Sequence, residues 1–242
     1  MLYNFDSFGN ATLIEECLEP IPQGSSEPRD YTLTGAGDID LDMDTYWSST
    51  VKSIRQYGGF FIGRYEASLS SDGSKTECKY TTPMNATADS GNQWVGMYEK
   101  LRSLNTSSIA SQAVGTGMIW GCEWDRVMKF INGSLDGGGN EYLVGTNGRN
   151  RHVGITQTGN NNDDKVKNIY DLEGNLREFT LEAHENEERV ARGGSSFYYG
   201  PAAERTPTII ADFVDAEYGS RQVLYIKPDV DDAGEMGQGV LE

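Results

Sequence analysis

Apolar positions along the chain fall into three helical stripes separated by long polar stretches. Asp44 has the character of an N-cap, Trp47, Val51 and Ile54 follow at helical spacing, and Gly58-Gly59 stops the run. Trp94, Met97, Tyr98, Leu101 and Leu104 form a second stripe. Trp124, Val127, Met128 and Ile131 form a third at i, i+3, i+4, i+7. Each stripe reads as the core-facing side of a helix rather than as a cofactor box. Phe60-Phe61-Ile62-Gly63-Arg64-Tyr65-Glu66-Ala67 reads as a short apolar strand, and Gln222-Val223-Leu224-Tyr225-Ile226 as a closing strand. Asp38, Asp40, Asp42 and Asp44 alternate with Ile39, Leu41 and Met43, which in a strand puts four carboxylates on one face. This is not an EF-hand loop: Met43 stands where that pattern needs Gly and Ser49 where it needs Glu. A solvated face is the simpler reading.

The stretches between these elements are unusually long. Residues 68–88 and 106–116 are polar and turn-rich, and residues 133–165 are a Gly- and Asn-rich run containing Gly137-Gly138-Gly139-Asn140 and Gly159-Asn160-Asn161-Asn162. With 29 glycines in 242 residues, a loop-rich fold is expected and a helical bundle is not. No phosphate-binding GxxxxGK[ST] occurs.

Charge narrows the partners. Lys and Arg number 20 against 37 Asp and Glu, a net charge of −17, so neither a nucleic-acid partner nor membrane attachment through a basic surface is expected. No apolar run has the roughly 18 residues that a membrane helix needs. The first residues lack the positive and apolar regions of a signal peptide, so a soluble chain is expected. The acids concentrate at the ends, which divides the chain into an acidic segment 1–43, a domain 44–228 and an acidic tail 229–242.

Little catalytic chemistry is on offer. Cys17, Cys78 and Cys122 have neither disulfide-framework nor metal-ligand spacing, so buried thiols are expected. Two histidines, His152 and His184, exclude a three-histidine metal site, and there is no GxSxG elbow.

Four segments in order resemble a known family. They are Gly58-Gly59-Phe60-Phe61-Ile62-Gly63-Arg64-Tyr65-Glu66-Ala67; Gly117-Met118-Ile119-Trp120-Gly121-Cys122-Glu123-Trp124-Asp125; Asn168-Ile169-Tyr170-Asp171-Leu172-Glu173-Gly174-Asn175-Leu176-Arg177-Glu178-Phe179-Thr180; and Arg192-Gly193-Gly194-Ser195. Together they resemble the formylglycine-generating-enzyme branch of the C-type lectin fold. The third segment is close to the pattern YDxxGNxxEWT, with Phe179 where Trp is usual. The resemblance implies an α+β fold, loop-rich, with short antiparallel strands and two to three helices. The catalytic cysteines of those enzymes fall near Tyr198 and Ala203, and no cysteine follows Cys122. The histidine triad of the related sulfoxide synthases is likewise missing. The expectation is therefore not an enzyme.

Within that branch, the chain resembles the variable proteins of diversity-generating retroelements, in which a C-terminal stretch is rewritten at template adenines and forms a ligand-binding face. The matching stretch is about residues 192–221. It holds Phe197, Tyr198, Tyr199, Ile209, Ile210, Ala211, Phe213, Val214, Ala216 and Tyr218, which follow no clean period of 2 or 3.6. Two readings apply: an aromatic contact surface, or the irregular core of a loop-rich fold. Randomised AAC or AAT codons encode Phe, Tyr, Ile, Val and Ala but not Glu or Gln. Glu204, Glu217 and Gln222 are therefore expected to be fixed scaffold, with Arg205, Asp212 and Asp215 supporting the face. The resemblance implies a protein or cell-surface ligand, a place on a phage particle or a bacterial or archaeal cell surface, and no cofactor. By the same likeness Gly174, Asn175 and Glu178 are offered as a structural calcium site. The rival readings are an enzyme of the formylglycine-generating or sulfoxide-synthase type, and an undiversified carbohydrate-binding phage or surface module.

Overall fold

The three stripes are three helices: α1, Met43–Tyr57; α2, Trp94–Leu101; and α3, Gly121–Asn132. In the computed structural model the described residues are 2–5, 11–14, 43–73, 76–86, 94–102, 113–132, 149–150, 154–184, 188–198, 200–209 and 215–227. Asp38, Asp40, Asp42, Leu104, Asp212 and Gly137 to Asn140 lie outside them. Asp44 stands inside the first turn of α1 rather than in an alternating strand. The helix ends as its sequence dictates. Gly58 takes φ +82° and its N–H returns to the Ile54 carbonyl at 2.8 Å, closing the last turn in a conformation that only Gly adopts without strain.

The strands are short. Leu2–Phe5 (β1) and Ala11–Ile14 (β2) pair as an antiparallel hairpin. The expected strand 60–67 narrows to Phe61–Ile62 (β3), because the chain turns at Arg64 and Tyr65. A three-stranded antiparallel sheet sets Gln222–Ile226 (β5) between β3 and Val114–Met118 (β4). A four-stranded sheet runs Arg205–Ile209, Glu188–Arg192, Arg177–Ala183, Tyr218–Ser220 in space. Its first three strands are antiparallel and the fourth is parallel to Arg177–Ala183. The chain is thus mixed α+β with several small, mostly antiparallel sheets. Among the described residues no helix is long and apolar enough to cross a membrane.

Side-chain size explains how α1 seats on the sheet. A Cβ at Gly117 would lie 2.2 Å from the Tyr46 hydroxyl, and one at Gly115 would lie 2.3 Å from the Tyr225 ring. The two glycines leave the room in which Tyr46 and Tyr225 pack with Trp120 and Tyr98. The third helix buries Trp124, Val127, Met128 and Ile131 against Ile169, Leu172 and Val223. The Trp124 indole N–H donates to the Ala202 carbonyl at 2.8 Å.

One buried ion pair ties the segments 58–67 and 168–180 to the start of the closing strand. Arg221 and Glu178 are both essentially without solvent contact. Arg221 Nε donates to both Glu178 oxygens at 3.1 and 2.9 Å. Its other nitrogens donate to the carbonyls of Gly63, at 3.0 Å, and Tyr170, at 2.8 Å. Beside the pair, Asn175 takes φ +56° and donates to Glu66 Oε2, while the Leu176 N–H donates to Glu66 Oε1 at 3.1 Å. Burial, then the neighbouring Asp171 and Glu178 carboxylates, push the Glu66 carboxyl well above the usual carboxylate range.

Two outcomes are expected. Arg221→Met should cost about 4 kcal/mol by chemical denaturation, because it strands a buried carboxylate, and adding Glu178→Leu should restore part of that. Glu123, fully buried in the first turn of α3, accepts from the Trp120 N–H at 2.9 Å, and burial raises its carboxyl to about 8. The folded chain therefore binds more protons than the unfolded chain between about pH 4.5 and 8, and stability falls as pH rises through that window. Glu123→Gln should flatten this slope and, at pH 9, exceed the parent by about 2 kcal/mol in urea titrations. An unchanged slope would refute the assignment.

Candidate ligand-binding face

The loop after Gly193-Gly194 is held by backbone proximity. Gly193 has φ +70°, and a Cβ there would lie 2.8 Å from the Leu172 carbonyl oxygen. A Cβ at Gly194 would lie 2.3 Å from Gly200 N and 2.6 Å from the Tyr198 carbonyl oxygen. No side chain fits between these strands of backbone, so glycine is required at both positions.

Ser195 then sets the turn. Its N–H donates to the Tyr198 carbonyl at 2.7 Å, and its hydroxyl oxygen accepts from the N–H groups of Phe197, at 3.2 Å, and Tyr198, at 2.9 Å. The hydroxyl proton goes to Glu217 Oε2. This closes a loop whose tip carries Phe197 and Tyr198, which are 59% and 53% exposed. Rings are not left in water because the backbone is slack; they are held there by a serine with its bonding capacity filled.

Glu217 belongs to the second half of the same face. Its N–H donates to Asp215 Oδ1 at 2.8 Å, the Tyr218 N–H donates to the Asp215 carbonyl at 3.2 Å, and Ala216 between them is exposed. Residues 84–86 brace this turn from beneath, through an Ala86–Asp215 bridge and an Ala86 N–H bond of 2.8 Å to the Tyr218 carbonyl. The two halves meet at Arg177, whose guanidinium lies 4.1 Å from the Tyr198 ring centroid and donates to the Tyr218 hydroxyl at 2.9 Å.

Tyr218 corrects the expectation for the face. It is 5% exposed and packs 5.1 Å from the Phe179 ring, so it is part of the core under the face. Its neighbours force this: Gly219 lies against Leu176 and the Met84 carbonyl, and the parallel pairing with Arg177–Ala183 turns the side chain inward. Tyr199, Ile210, Ala211, Phe213 and Val214 lie outside the described residues, as does the side chain of Ile209 at the end of Arg205–Ile209. The structure thus brings together Phe197, Tyr198 and Ala216.

Arg205 and Gln222 bond residues distant along the chain, and Glu204 lies against a nearby glycine. Arg205 bonds Asp125 and, at 2.8 Å, Glu182. Arg192, fully buried and paired across strands with Arg205, bonds the same two carboxylates. Two arginines and two acids so close a ring joining α3 to the four-stranded sheet. Gln222 donates to Thr76 Oγ1 at 2.8 Å and the Leu101 carbonyl at 2.6 Å. A Cβ at Gly200 would overlap the Glu204 carboxylate, which lies against that glycine. Sequence reasoning did not find Arg177, Ser195 or Asn85, whose side-chain amide donates to the Ala216 carbonyl at 3.3 Å, as parts of the face; each acts through a partner at least two residues away and leaves no local periodicity.

Gly174, Asn175 and Glu178 do not converge on a cation. Both Glu178 oxygens accept from Arg221, and the Asn175 side-chain oxygen accepts from the Thr156 N–H at 2.9 Å. Among the described residues no group of His, Cys, Asp and Glu is placed to hold a metal ion. Near the closing strand the Cys78 thiol, which donates to Gln222 Oε1 at 3.5 Å, is pushed up to about 11 by burial, away from nucleophilic use at neutral pH. No family model matches the chain, and no characterised protein matches it either.

The two tyrosines separate the contact surface from the core. Tyr218→Ala should cost about 3 kcal/mol in urea unfolding, Tyr198→Ala about 1 kcal/mol for its stacking on Arg177, and Phe197→Ala under about 0.5 kcal/mol. Equal, large losses in all three would place the loop tip in the core.

Proposed function

We propose that this chain is a non-catalytic binding protein with a C-type lectin fold of the formylglycine-generating-enzyme type, whose C-terminal face is diversified by a retroelement to recognise varied protein or cell-surface ligands. The observation that carries the reading is the pair of exposed rings, Phe197 and Tyr198, at the tip of a turn fully bonded to Ser195 and Glu217. Pre-set rings bury apolar area against a partner with little ordering cost, which is how aromatic-rich binding loops gain affinity. Three residues of the frame, Glu204, Glu217 and Gln222, are ones that adenine-directed change does not produce at AAC or AAT codons. Ala216, Phe197 and Tyr198 are compatible with such change and have no polar side-chain bonds to the frame. Recognition of a partner, rather than chemistry on a substrate, is the reading supported by exposed rings on bonded turns. A phage particle or a bacterial or archaeal cell surface is the setting that this reading implies.

The test is genetic. A second, near-identical copy of the segment encoding residues 192–227 should lie beside a reverse-transcriptase gene, and the two copies should differ only where the template has adenine. Differences scattered over all four bases, or no second copy, would overturn the diversified-binder reading.

A further inference from the structure

A second surface, outside the aromatic face, is built from tyrosines, asparagines and cations that form no ion pair with a described residue. The loop from Gln157 to Asn160 is anchored by Asp171, whose Oδ2 accepts from Thr158 Oγ1 at 2.9 Å and from the Gly159 N–H at 2.7 Å. Gly159, at φ +81°, lets two rings close on it: a Cβ there would lie 2.4 Å from Tyr65 Cε1 and 3.5 Å from Tyr80 Cδ2. Tyr65 stacks on Tyr170 at 5.2 Å and 20°. Arg64 sits 5.7 Å from both of those rings, and Lys165 sits 5.6 Å from Tyr170. Lys167 lies 4.5 Å from the ring of Phe130. The strip is therefore continuous from Tyr80, 52% exposed, through Tyr65, Tyr170, Arg64 and Lys165.

Its hydrogen-bonding character is one-sided. The side-chain oxygens of Asn160, Asn162 and Asn168 are occupied by the Tyr80 hydroxyl at 3.0 Å, the Tyr170 hydroxyl at 2.9 Å and the Arg64 guanidinium. Each amide is left with its NH2 to offer. Arg64, Lys165 and Lys167 form no ion pair with any described residue, in a chain of net charge −17. Asp163 is the exposed carboxylate beside them, one against three. Such a surface presents donors and positive charge next to an exposed ring face.

The complement is rich in acceptors, sparsely anionic and has flat C–H faces. We propose that this strip binds an acidic polysaccharide carrying sugar carboxylates, without calcium. The carboxylates pair with Arg64, Lys165 and Lys167, the hydroxyl and ring oxygens accept from the asparagine NH2 groups, and a sugar face lies on Tyr80. A single-stranded nucleic acid also combines anions with stacking faces. Its charge density, however, calls for many cations, and the net charge of −17 opposes it over the whole surface.

The full chain should be titrated calorimetrically, in EDTA, with a hexasaccharide in which uronate alternates with a neutral sugar, a neutral hexose hexamer and oligo(dT). Binding of the uronate-bearing hexasaccharide alone is expected, weakening with added salt. Tyr80→Ala and the pair Lys165→Gln/Lys167→Gln should each weaken it roughly tenfold or more, while Tyr198→Ala on the other face leaves it unchanged. No binding up to about 10 mM, equal binding of the neutral sugar, preference for oligo(dT), or indifference to the Tyr80 and lysine variants would each overturn the proposal. Circular dichroism of each variant ensures that a loss of binding is not a loss of fold.

Discussion

The buried pair of Arg221 and Glu178 is the constraint on which the rest of the molecule is arranged. A guanidinium with no solvent contact must have its donors filled, and a carboxylate beside it must have its charge matched. Arg221 meets this with Glu178 and with the carbonyls of Gly63 and Tyr170. Counting Arg221 itself, three distant parts of the chain meet here, so the pair sets where β3, the stretch from Tyr170 to Glu178 and the start of β5 must stand relative to one another. Replacing the pair with apolar side chains could be as stable in principle. It would lose the directional bonds that fix these loops, and this chain has few long elements to fix them otherwise.

Glu66 extends the same logic. Three acids, Glu66, Asp171 and Glu178, lie around one guanidinium; burial raises the Glu178 carboxyl, and the Glu66 carboxyl is driven well upward, first by burial and then by its acidic neighbours. Its two oxygens receive the Asn175 amide and the Leu176 N–H, which stabilises the left-handed turn at Gly174 and Asn175. The Asn175 carbonyl in turn accepts from the Ser196 N–H at 3.0 Å. Ser196 sits between the serine that builds the face and the first exposed ring. The polar core therefore reaches the loop tip through one residue, and the rigidity of the face comes from the charge balance beneath it.

Much of this was legible in the sequence, and the missing part has a common cause. The three helices announced themselves because a packed helix repeats every three to four residues, and Gly58 marked the end of the first. The Asn168 to Thr180 segment and Arg192-Gly193-Gly194-Ser195 stood out because tight turns and close backbone approach need particular residues. The strand expected over residues 60–67 failed after Ile62, since Gly63 bonds Gln222 and the chain must then turn to bring Glu66 to Asn175. The partners of Arg221 and Glu66 are separated by 43 and 110 positions along the chain and obey no period. Arg177 was equally silent: its meaning lies in two tyrosines that only the folded chain brings to it.

Tyr198 and Tyr218 show why composition alone could not draw the face. Both are tyrosines of the same stretch, and Arg177 touches both. One has its hydroxyl bonded and its ring against Phe179; the other stacks over the guanidinium from outside. A side chain whose polar atom is needed by the frame cannot change without stranding its partner, whereas one that only lies upon the frame can. Tolerance to variation is then a property of bonding, not of residue type. By that criterion Phe197, Tyr198 and Ala216 are replaceable, and Tyr218, Ser195 and Glu217 are not. The residues that hold the turns contribute through backbone and buried groups, which leaves the side chains of Phe197, Tyr198 and Ala216 outside the hydrogen-bonded frame of the described residues.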